Sequence, residues 1–351
     1  MSIYLDHNAT SPARPEAITA VSDAMHMHGN ASSVHSAGRA ARATVEDARR
    51  AVAALAGAEP KQVIFTSGAT EANNTVLKSF SGRILTSGIE HPSVMEAAKA
   101  DRIPVRADGV IDMDALAAAI AGTALVSVMW VNNETGVIQP VEAIATLCRR
   151  HGVKFHCDAV QAAGKILLSP VGDYMTISAH KFAGPMGAGA IIVDSKAPPV
   201  KLIHGGGQER RQRAGTENVA AIAGFGAAAK AVDLQAFAQL AILRDRIENE
   251  IPGIQVFGKT SSRIANTTCF ALPGVPADTQ LMALDLAGIC VSSGSACSSG
   301  SVKPSHVLEA MGITPALSSC ALRVSLGWNT TAADIDTFID TYKRLISTWQ
   351  K

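Results

Sequence analysis

The 351-residue sequence has little charge and almost no excess of either sign. Lys, Arg, Asp and Glu together make up 17% of the residues, and the formal net charge at pH 7 is +1. A chain without a broad electrostatic field is poorly suited to bind nucleic acid or an acidic membrane surface. We therefore expect neither as a partner, and we expect a small-molecule substrate instead.

Cysteine is scarce, and long apolar runs are missing. The six cysteines are separated by 9, 112, 21, 7 and 23 residues, which gives neither a disulfide framework nor a C-x-x-C pair for zinc. The longest apolar stretch, residues 115–131, is interrupted by polar residues and predicts a helix followed by a strand. The N-terminus has neither the basic region nor the apolar region of a signal peptide. These features predict a cytoplasmic protein without a metal site.

Short β-branched runs alternate with Ala-rich helical patterns between about residues 60 and 195. Such alternation predicts an α/β fold with a mostly parallel sheet covered by helices on both faces. The strand candidates are 63–67, 83–87, 125–131, 153–159, 174–178 and 190–194, with helices near 70–79, 93–100, 112–121 and 141–151. Ligands of these sheets bind where the carboxyl ends of the strands meet.

A second region follows a long Ala-rich helical pattern that runs from Glu217 to Glu250. The Pro252-Gly253 pair ends this pattern and marks a domain boundary. The later elements are predicted strands at 266–273 and 322–327, a helix at 278–287 and a last helix with an apolar stripe of Ile335, Phe338, Ile339, Tyr342, Leu345 and Ile346. We expect a large domain over residues 15–250 and a small domain formed by residues 1–14 and 251–351.

The segment TSGATEANN (66–74) predicts a strand that runs through Ser-Gly into a helix. Free backbone N–H groups and the helix dipole make such a helix start favourable for a phosphate. An ordinary capped helix start would have the same sequence.

Lys181 lies at the end of a predicted strand, in SAHKFAGPMGAG (178–189). A lysine crowded at a strand end loses hydration, which lowers its pKa and makes its amine a nucleophile able to form a Schiff base with a carbonyl. The alternative is a surface lysine that happens to follow a strand.

Asp158 and Gln161, in HCDAVQ (156–161), are spaced so that both side chains can address one ligand. A carboxylate here could keep the ring nitrogen of a pyridine cofactor protonated, which turns the ring into an electron sink. Asp158 could instead be a helix N-cap.

Three further polar clusters have both a functional and a structural interpretation. His91 in GIEHPSV (88–94) is either catalytic or a satisfied structural histidine, and Asn133 in VNNETG (131–136) is either in the site or in a turn. The glycine-rich basic loop HGGGQERRQRAGTEN (204–218) suits an anion contact, a subunit interface or plain solvation.

Cys297 lies in SSGSACSSGS (292–301), among small polar residues that have no apolar partner to pack against. Gly and Ser at this density are typical of a flexible surface loop, which predicts a reachable thiol. A chance cysteine in a linker is the alternative.

Together these strand-end groups resemble the cysteine desulfurases, pyridoxal-phosphate (PLP) enzymes of aminotransferase class V. The resemblance extends from YLDHNATSP (4–12) through GNASSVHSAGR (29–39) to LRVSLG (322–327). It implies the PLP-dependent transferase fold type I, with a mostly parallel seven-stranded sheet between helices and a smaller α+β domain. Lys181 matches the Schiff-base lysine of the family, and Cys297 matches its persulfide-forming cysteine.

The resemblance also implies roles for the other residues. The cofactor-binding set would be Ala69, Thr70, His91, Asn133, Asp158, Gln161, Ser178, His180, Lys181 and Thr216. Thr216 would reach the phosphate of a neighbouring subunit, which implies a homodimer. His91 would stack on the ring, and Arg323, with Asn133, would bind the substrate, its guanidinium holding the carboxylate. The motif usually written R-S-G-T reads Arg213-Ala-Gly-Thr216 here.

The implied reaction removes sulfur from L-cysteine and leaves L-alanine and a persulfide on Cys297. The long Ser/Gly loop favours cysteine over selenocysteine, because the branch that acts on selenocysteine carries a short R-x-G-H-H-C segment. Either His91 or the substrate would take the thiol proton. A sulfur-acceptor protein, such as an iron–sulfur scaffold, would receive the sulfur. Another class-V aminotransferase or lyase and a non-catalytic PLP-binding scaffold are the alternatives.

Overall fold

The computed structural model describes residues 2–293 and 304–349. The strands are β1 (Ile3–Tyr4), β2 (Val63–Thr66), β3 (Arg83–Ser87), β4 (Asp101–Ile103), β5 (Thr123–Met129), β6 (Lys154–Asp158), β7 (Tyr174–Ser178), β8 (Gly189–Val193), β9 (Gln255–Val256), β10 (Thr267–Ala271), β11 (Ile289–Cys290) and β12 (Ala321–Ser325). The helices are α1 (Pro15–Met25), α2 (Ser36–Leu55), α3 (Ala69–Lys78), α4 (Pro92–Met95), α5 (Met113–Ala119), α6 (Val141–His151), α7 (Val219–Lys230), α8 (Leu234–Glu250), α9 (Ala277–Leu286), α10 (His306–Ala310), α11 (Pro315–Ser318) and α12 (Ala332–Trp349).

Seven strands form one sheet in the order β2-β8-β7-β6-β5-β3-β4. Every strand runs in the same direction except β8, which is antiparallel to both β2 and β7. All residues of β2, β7 and β8 are buried, as expected for a sheet covered on both faces. The predicted α/β fold with a mostly parallel sheet is therefore confirmed.

Helices cover the two faces of this sheet, and successive residues of a strand point to opposite covers. Phe65 of β2 packs on one face against Phe225 of α7, with 6.0 Å between the ring centroids. Its neighbour Ile64 packs on the other face with Val76 and Leu77 of α3. The continuous apolar run of β2 thus follows from burial on both sides.

Two details at the edge of the sheet differ from the sequence predictions. β4 was not predicted, because two of its three residues, Asp101 and Arg102, are exposed and give no apolar alternation. The helix predicted near 93–100 was wrong in extent, since α4 ends at Met95 after a single turn.

The predicted continuous helix from Glu217 to Glu250 was also wrong, because the structure has two helices, α7 and α8, bent by 75° at the break. The Asp233 side chain caps α8 by accepting from the backbone N–H of Ala236 at 2.9 Å, which explains a new helix start there. No single helix among the described residues is long and apolar enough to span a membrane; only α7 and α8, taken together, pass that test of length and composition.

Glycine lets α7 lie close to α2. A Cβ at Gly226 would be 2.5 Å from the Cα of Ala48, so only glycine permits this approach of the two backbones. The contact holds α2 and α7 together against the face of the sheet that carries Phe65.

The remaining strands form two small sheets, a three-stranded one in the order β12-β10-β9 and a two-stranded one of β1 and β11. Helix α12 covers them with the predicted stripe, in which Ile335, Phe338, Ile339, Tyr342 and Ile346 are buried. The N-terminal segment after β1 bonds to the end of β12, since the N–H of His7 donates to the carbonyl of Ser325 at 3.1 Å. This segment thereby lies between the small sheets and the large one.

Candidate active site

The residues proposed from sequence converge at the carboxyl edge of the large sheet. Residues 68–70 follow β2, His91 follows β3 and Asn133 follows β5, while Asp158 and Ser178 are the last residues of β6 and β7. Parallel strands end at a common edge, so these groups lie in adjacent loops.

Asp158 is a buried carboxylate with two fixed partners. Its Oδ1 accepts from the backbone N–H of Val160 at 3.0 Å, and its Oδ2 accepts from the side-chain amide of Asn73 at 2.8 Å. Thr176, on the adjacent strand β7, donates to the other end of the Asn73 amide at 2.6 Å. The described chain has no helix between β6 and β7, so the alternative of a helix N-cap is wrong; Asp158 instead accepts within a turn and is held by Asn73 of α3.

Lys181 lies in a single 3-10 turn after β7 and is only partly exposed. Its Nζ donates to the backbone carbonyls of Asn8 at 2.7 Å and Ala9 at 2.8 Å. Burial, followed by repulsion from Arg323, lowers the pKa of Lys181 to about 8, against the opposing effect of Asp6 and Asp158. A simple surface lysine does not fit these surroundings.

His180 and Ser178 accompany Lys181 at the end of β7. Ser178 is buried, and His180 lies 3.1 Å from the hydroxyl of Thr10 through its Nδ1. Burial, followed by repulsion from Lys181 and Lys165, lowers the pKa of His180 to about 4. The imidazole is therefore neutral at physiological pH.

His91 is the N-cap of the one-turn helix α4. Its Nδ1 accepts from the backbone N–H of Ser93 at 3.1 Å and lies 2.8 Å from the hydroxyl of the same residue. Burial lowers the pKa of His91, and the charges of Lys181 and His306 act in the same direction, whereas Asp158 and Glu96 oppose them.

Helix α3 begins at Ala69, after Gly68, whose φ of +156° only glycine adopts readily. No atom lies within 4 Å of the position a Cβ at Gly68 would take, so the start of the helix faces open space. The one acidic group in this first turn, Glu71, is neutralised by Arg213, whose Nε and Nη2 lie 2.9 and 3.2 Å from its oxygens. The exposed Thr70 lies at this end.

A buried ion pair between Glu209 and α2 fixes the position of the loop that carries Thr216. Arg49 of α2 donates to both oxygens of Glu209 at 2.8 Å, and the N–H of Phe65 donates to the same carboxylate at 2.8 Å. The backbone of residues 209–211 has φ values of 42°, 54° and 65°, a strained region for side chains other than glycine. Thr216 itself is exposed.

Arg323 reaches the site from β12, opposite the large sheet. Its Nη2 donates to Asp6 at 2.6 Å and its Nη1 donates to the backbone carbonyl of Asn133 at 3.2 Å. Its Nε is buried without a partner among the described residues. The guanidinium therefore retains an unused donor at Nε.

Gln161 is buried in the turn after β6, and its neighbours were not identified from the sequence. Its Nε2 donates to the carbonyl of Asn8 at 2.9 Å, while its Oε1 accepts from Lys165 at 2.5 Å. Lys165 also donates to the Asn8 side chain at 2.9 Å. Asn8 lies within the family motif YLDHNATSP, which was the only available signal for its position.

Cys297 lies outside the described residues. On one side of it, Ser292 pairs with Arg323 through backbone hydrogen bonds of 2.6 and 3.2 Å. On the other side, the hydroxyl of Ser305 donates to Glu134, the residue after Asn133, at 2.5 Å. The described residues on one side of Cys297 therefore lie beside Arg323, and those on the other side lie beside Glu134, which follows Asn133. Arg323 and Asn133 are the two residues expected to bind substrate.

Comparisons with known proteins agree on one family. The family model described as aminotransferase class-V matches residues 3–338. A cysteine desulfurase of Cereibacter sphaeroides is 42% identical, and the match spans 96% of this chain and 94% of that protein.

Solved structures extend the comparison. A NifS-like protein from Rickettsia africae superposes with a TM-score of 0.91 and 34% identity over 99% of this chain and 100% of its own. A structure described as SspA in complex with cysteine has a TM-score of 0.83 and 29% identity over 93% of this chain and 99% of its own.

The chain belongs to the class-V aminotransferases, a class of PLP-dependent enzymes, and within that class to the cysteine desulfurases. Among the described residues, no group of three or more His, Cys, Asp or Glu side chains is placed to hold a metal ion.

Proposed function

We propose that this protein uses PLP to remove sulfur from L-cysteine, leaving L-alanine and a persulfide on Cys297. The observation that carries the proposal is the pair formed by Lys181 and Asp158 at adjacent strand ends. The lysine has a pKa lowered to about 8, and the carboxylate is held in place by Asn73. An amine that loses its proton readily beside a fixed anion is what a PLP enzyme requires.

The residues present fit the cofactor. The start of α3 faces open space and offers its unpaired N–H groups to a phosphate, together with Thr70, Ser178 and His180. Asp158 would hold the pyridine nitrogen, Gln161 and Asn133 would lie at the ring oxygen, and His91 would cover the ring. When bound, PLP supplies a sink for the electron pair released at the α-carbon of the substrate.

Lys181 has two roles in this proposal. Its amine would join the aldehyde of the cofactor, and after exchange with the substrate its Nζ would accept the proton from the substrate α-carbon. Both roles need the neutral amine, so the lowered pKa increases the reactive fraction at neutral pH. Its hydrogen bonds to the carbonyls of Asn8 and Ala9 fix the position of the amine beyond the end of β7.

Arg323 and Asn133 would orient the amino acid. The unused Nε of Arg323 is a buried donor, and a carboxylate is a natural acceptor for it. Asp6 already holds one Nη of this arginine, so the guanidinium is fixed before substrate arrives. The substrate would then lie between Lys181 and the small sheets.

Cys297 would receive the sulfur as a thiolate. Its sulfur attacks the sulfur of the substrate, an S–S bond forms, and the bond from Cβ to sulfur breaks with its electron pair left on carbon. Protonation of that carbon, return of a proton to the α-carbon and release of the amino group by exchange with Lys181 would complete alanine, and the persulfide would pass to an acceptor protein. The anchors at Ser292 and Ser305 place the ends of the cysteine segment beside Arg323 and Glu134.

The assembly belongs to the same proposal. We infer a homodimer in which Thr216 reaches the phosphate in the neighbouring subunit, a use that suits an exposed residue on the anchored loop. We also retain the division into a large domain (15–250) and a small domain (1–14 and 251–351), a cytoplasmic location, and an iron–sulfur scaffold as acceptor.

Spectroscopy and product analysis on the purified protein test this function. A visible absorbance band of bound PLP should shift on addition of L-cysteine, and alanine and sulfide should form in equal amounts with a reducing agent present. Cys297→Ser should keep the spectral shift and lose alanine and sulfide. Formation of a keto acid, or full turnover in Cys297→Ser, would reject the desulfurase mechanism.

A further inference from the structure

A chain of hydrogen bonds connects Asp158 to His91 through Asn73, which holds Asp158 in place, and Ser93, for which the mechanism has no role so far. The Asn73 amide donates to Asp158 Oδ2 at 2.8 Å and to the hydroxyl of Ser93 at 2.9 Å. The same hydroxyl lies 2.8 Å from Nδ1 of His91. Asn73 and Ser93 are both buried, so water does not compete for these contacts.

Donor and acceptor rules fix the direction of every bond in this chain. An ionised carboxylate can only accept, so the NH2 group of Asn73 must face Asp158, and its oxygen faces the hydroxyl of Thr176. The NH2 group then donates to Ser93 as well. Because the Ser93 oxygen receives this bond, its own hydrogen is free to point at His91.

The backbone supplies a second, independent constraint on His91. The N–H of Ser93 also points at Nδ1, at 3.1 Å, and a backbone N–H can only donate. Nδ1 therefore receives two donors and has no room for a proton of its own. A neutral imidazole in this position carries its hydrogen on Nε2, on the other side of the ring.

We propose that Asn73 and Ser93 are positioning residues that hold His91 as the neutral Nε2–H tautomer, through a chain of hydrogen bonds that begins at Asp158. In this state His91 offers a hydrogen-bond donor to the site at Nε2 and cannot accept a proton there. The chain cannot relay protons either, since the neutral amide of Asn73 neither gains nor loses a proton near neutral pH. This inference rests on the proposed function and deepens it. The proton of the Cys297 thiol must go to a base other than His91, and the substrate is the alternative named above.

The chemical setting of His91 supports the neutral form. The charged and titratable groups that act on it are Asp158, Lys181, His306 and Glu96. Burial, together with Lys181 and His306, outweighs the two carboxylates, so the pKa of His91 is lowered. Only the neutral imidazole has an unprotonated Nδ1 that can accept from the Ser93 hydroxyl. Loss of this hydroxyl would therefore favour the protonated form of His91.

Nitrogen-15 NMR of histidine side chains tests the proposal directly. The protein, labelled on its histidine nitrogens, would be measured with and without PLP, and His91→Gln would identify the His91 signals. We expect hydrogen on Nε2 and none on Nδ1 at pH 7. The tautomer is recorded without substrate, so this result is independent of whether the protein releases sulfur from cysteine. Hydrogen on Nδ1 of His91 would overturn the proposal.

Variants of Ser93 separate positioning from a general structural effect. Ser93→Ala should increase the protonated fraction of His91 at a given pH by roughly two- to tenfold, the effect of one ordinary hydrogen bond. Ser93→Thr keeps the hydroxyl and should restore the wild-type titration. Ser79→Ala, which removes a hydroxyl that donates to the carbonyl of Thr75 and accepts from the N–H of Lys201, is the matched control. Identical His91 titrations in Ser93→Ala and Ser79→Ala would also contradict the proposal.

Discussion

Two lysines approach Asn8 from different turns of the chain, and they differ in what surrounds them. Lys165, after β6, is buried and donates to the side chains of Asn8 and Gln161. Lys181, after β7, is partly exposed and donates to the backbone carbonyls of Asn8 and Ala9. Burial is the largest cause of a lowered pKa in both.

This comparison shows that a depressed lysine pKa does not by itself identify the reactive amine. The pKa of Lys165 is lowered as well, but its amine is enclosed and its donors are used to orient other side chains. Around Lys181, Asp6 and Asp158 partly offset the effects of burial and of Arg323. Because Lys181 is partly exposed and lies near acidic groups, we infer that it is the nucleophile. Lys165 is enclosed, and we infer that it orients its neighbours.

Replacement of each lysine should give the largest contrast. Lys181→Ala is expected to reduce alanine formation from L-cysteine by about 10²- to 10⁴-fold, because the α-proton loses its acceptor. Lys165→Ala should cost roughly tenfold or less, the effect of a lost positioning hydrogen bond. Steady-state assays of both PLP-loaded variants measure the difference, and equal losses would remove the distinction between the two lysines.

Asn8 should stabilise the fold more than an exposed asparagine does. Asn8→Ala removes one of the two side-chain acceptors of the Lys165 amine and the amide that donates to the hydroxyl of Thr267, which should lower the free energy of unfolding by about 1–3 kcal/mol.

Asn30→Ala is the control for this loss, because Asn30 is exposed and caps only the N–H of Ser32. Its effect should stay within about 0.5 kcal/mol. Urea unfolding of the cofactor-free variants compares the two, and a loss in Asn8→Ala no larger than in the control would show that the buried contacts of Asn8 add nothing.

The rate at which PLP attaches to the cofactor-free protein should follow the protonation of Lys181. Only the neutral amine reacts, so the rate should rise with pH and level off above about 8, the lowered pKa. Stopped-flow absorbance over a series of buffers measures the midpoint. A rate that continues to rise toward about 10.4, the ordinary lysine pKa, would show that Lys181 is not perturbed.

The smallest expected effect is on stability at alkaline pH. Lys181 has a lower pKa in the folded state than in the unfolded one, so between about 8 and about 10.4 the unfolded chain binds more protons. Stability of the wild type relative to Lys181→Ala should therefore increase as pH rises through that window. Denaturant titrations at several pH values test the sign, and a relative decrease would contradict the assignment.

The sequence identified residues whose position depends on local patterns. Lys181, Asp158 and His91 each follow a short β-branched run, so the parallel sheet brings them to one edge. The break between α7 and α8 was missed because the alanine content continues across it, although Asp233 is a good N-cap. β4 was missed because an exposed edge strand has no apolar alternation.

The supporting residues could not be derived in the same way. Asn8 is more than 150 residues from Lys165 and Lys181 in the chain, and it reaches them because the N-terminal segment bonds both to Ser325 of β12 and, through Ser11, to His180. Asn73 lies in a quoted motif, but its contact with Asp158 depends on how α3 packs against the sheet. Such contacts are products of tertiary packing, and no local pattern specifies them.

A single-turnover experiment tests the central assignment most directly. The PLP-loaded protein would be mixed with one equivalent of L-cysteine without reductant, alanine would be quantified, and the extra sulfur would be located by mass spectrometry of peptides. One alanine per site, with one additional sulfur on the peptide that contains Cys297, is the predicted result. Alanine with the sulfur on another cysteine, or on none, would contradict the role of Cys297.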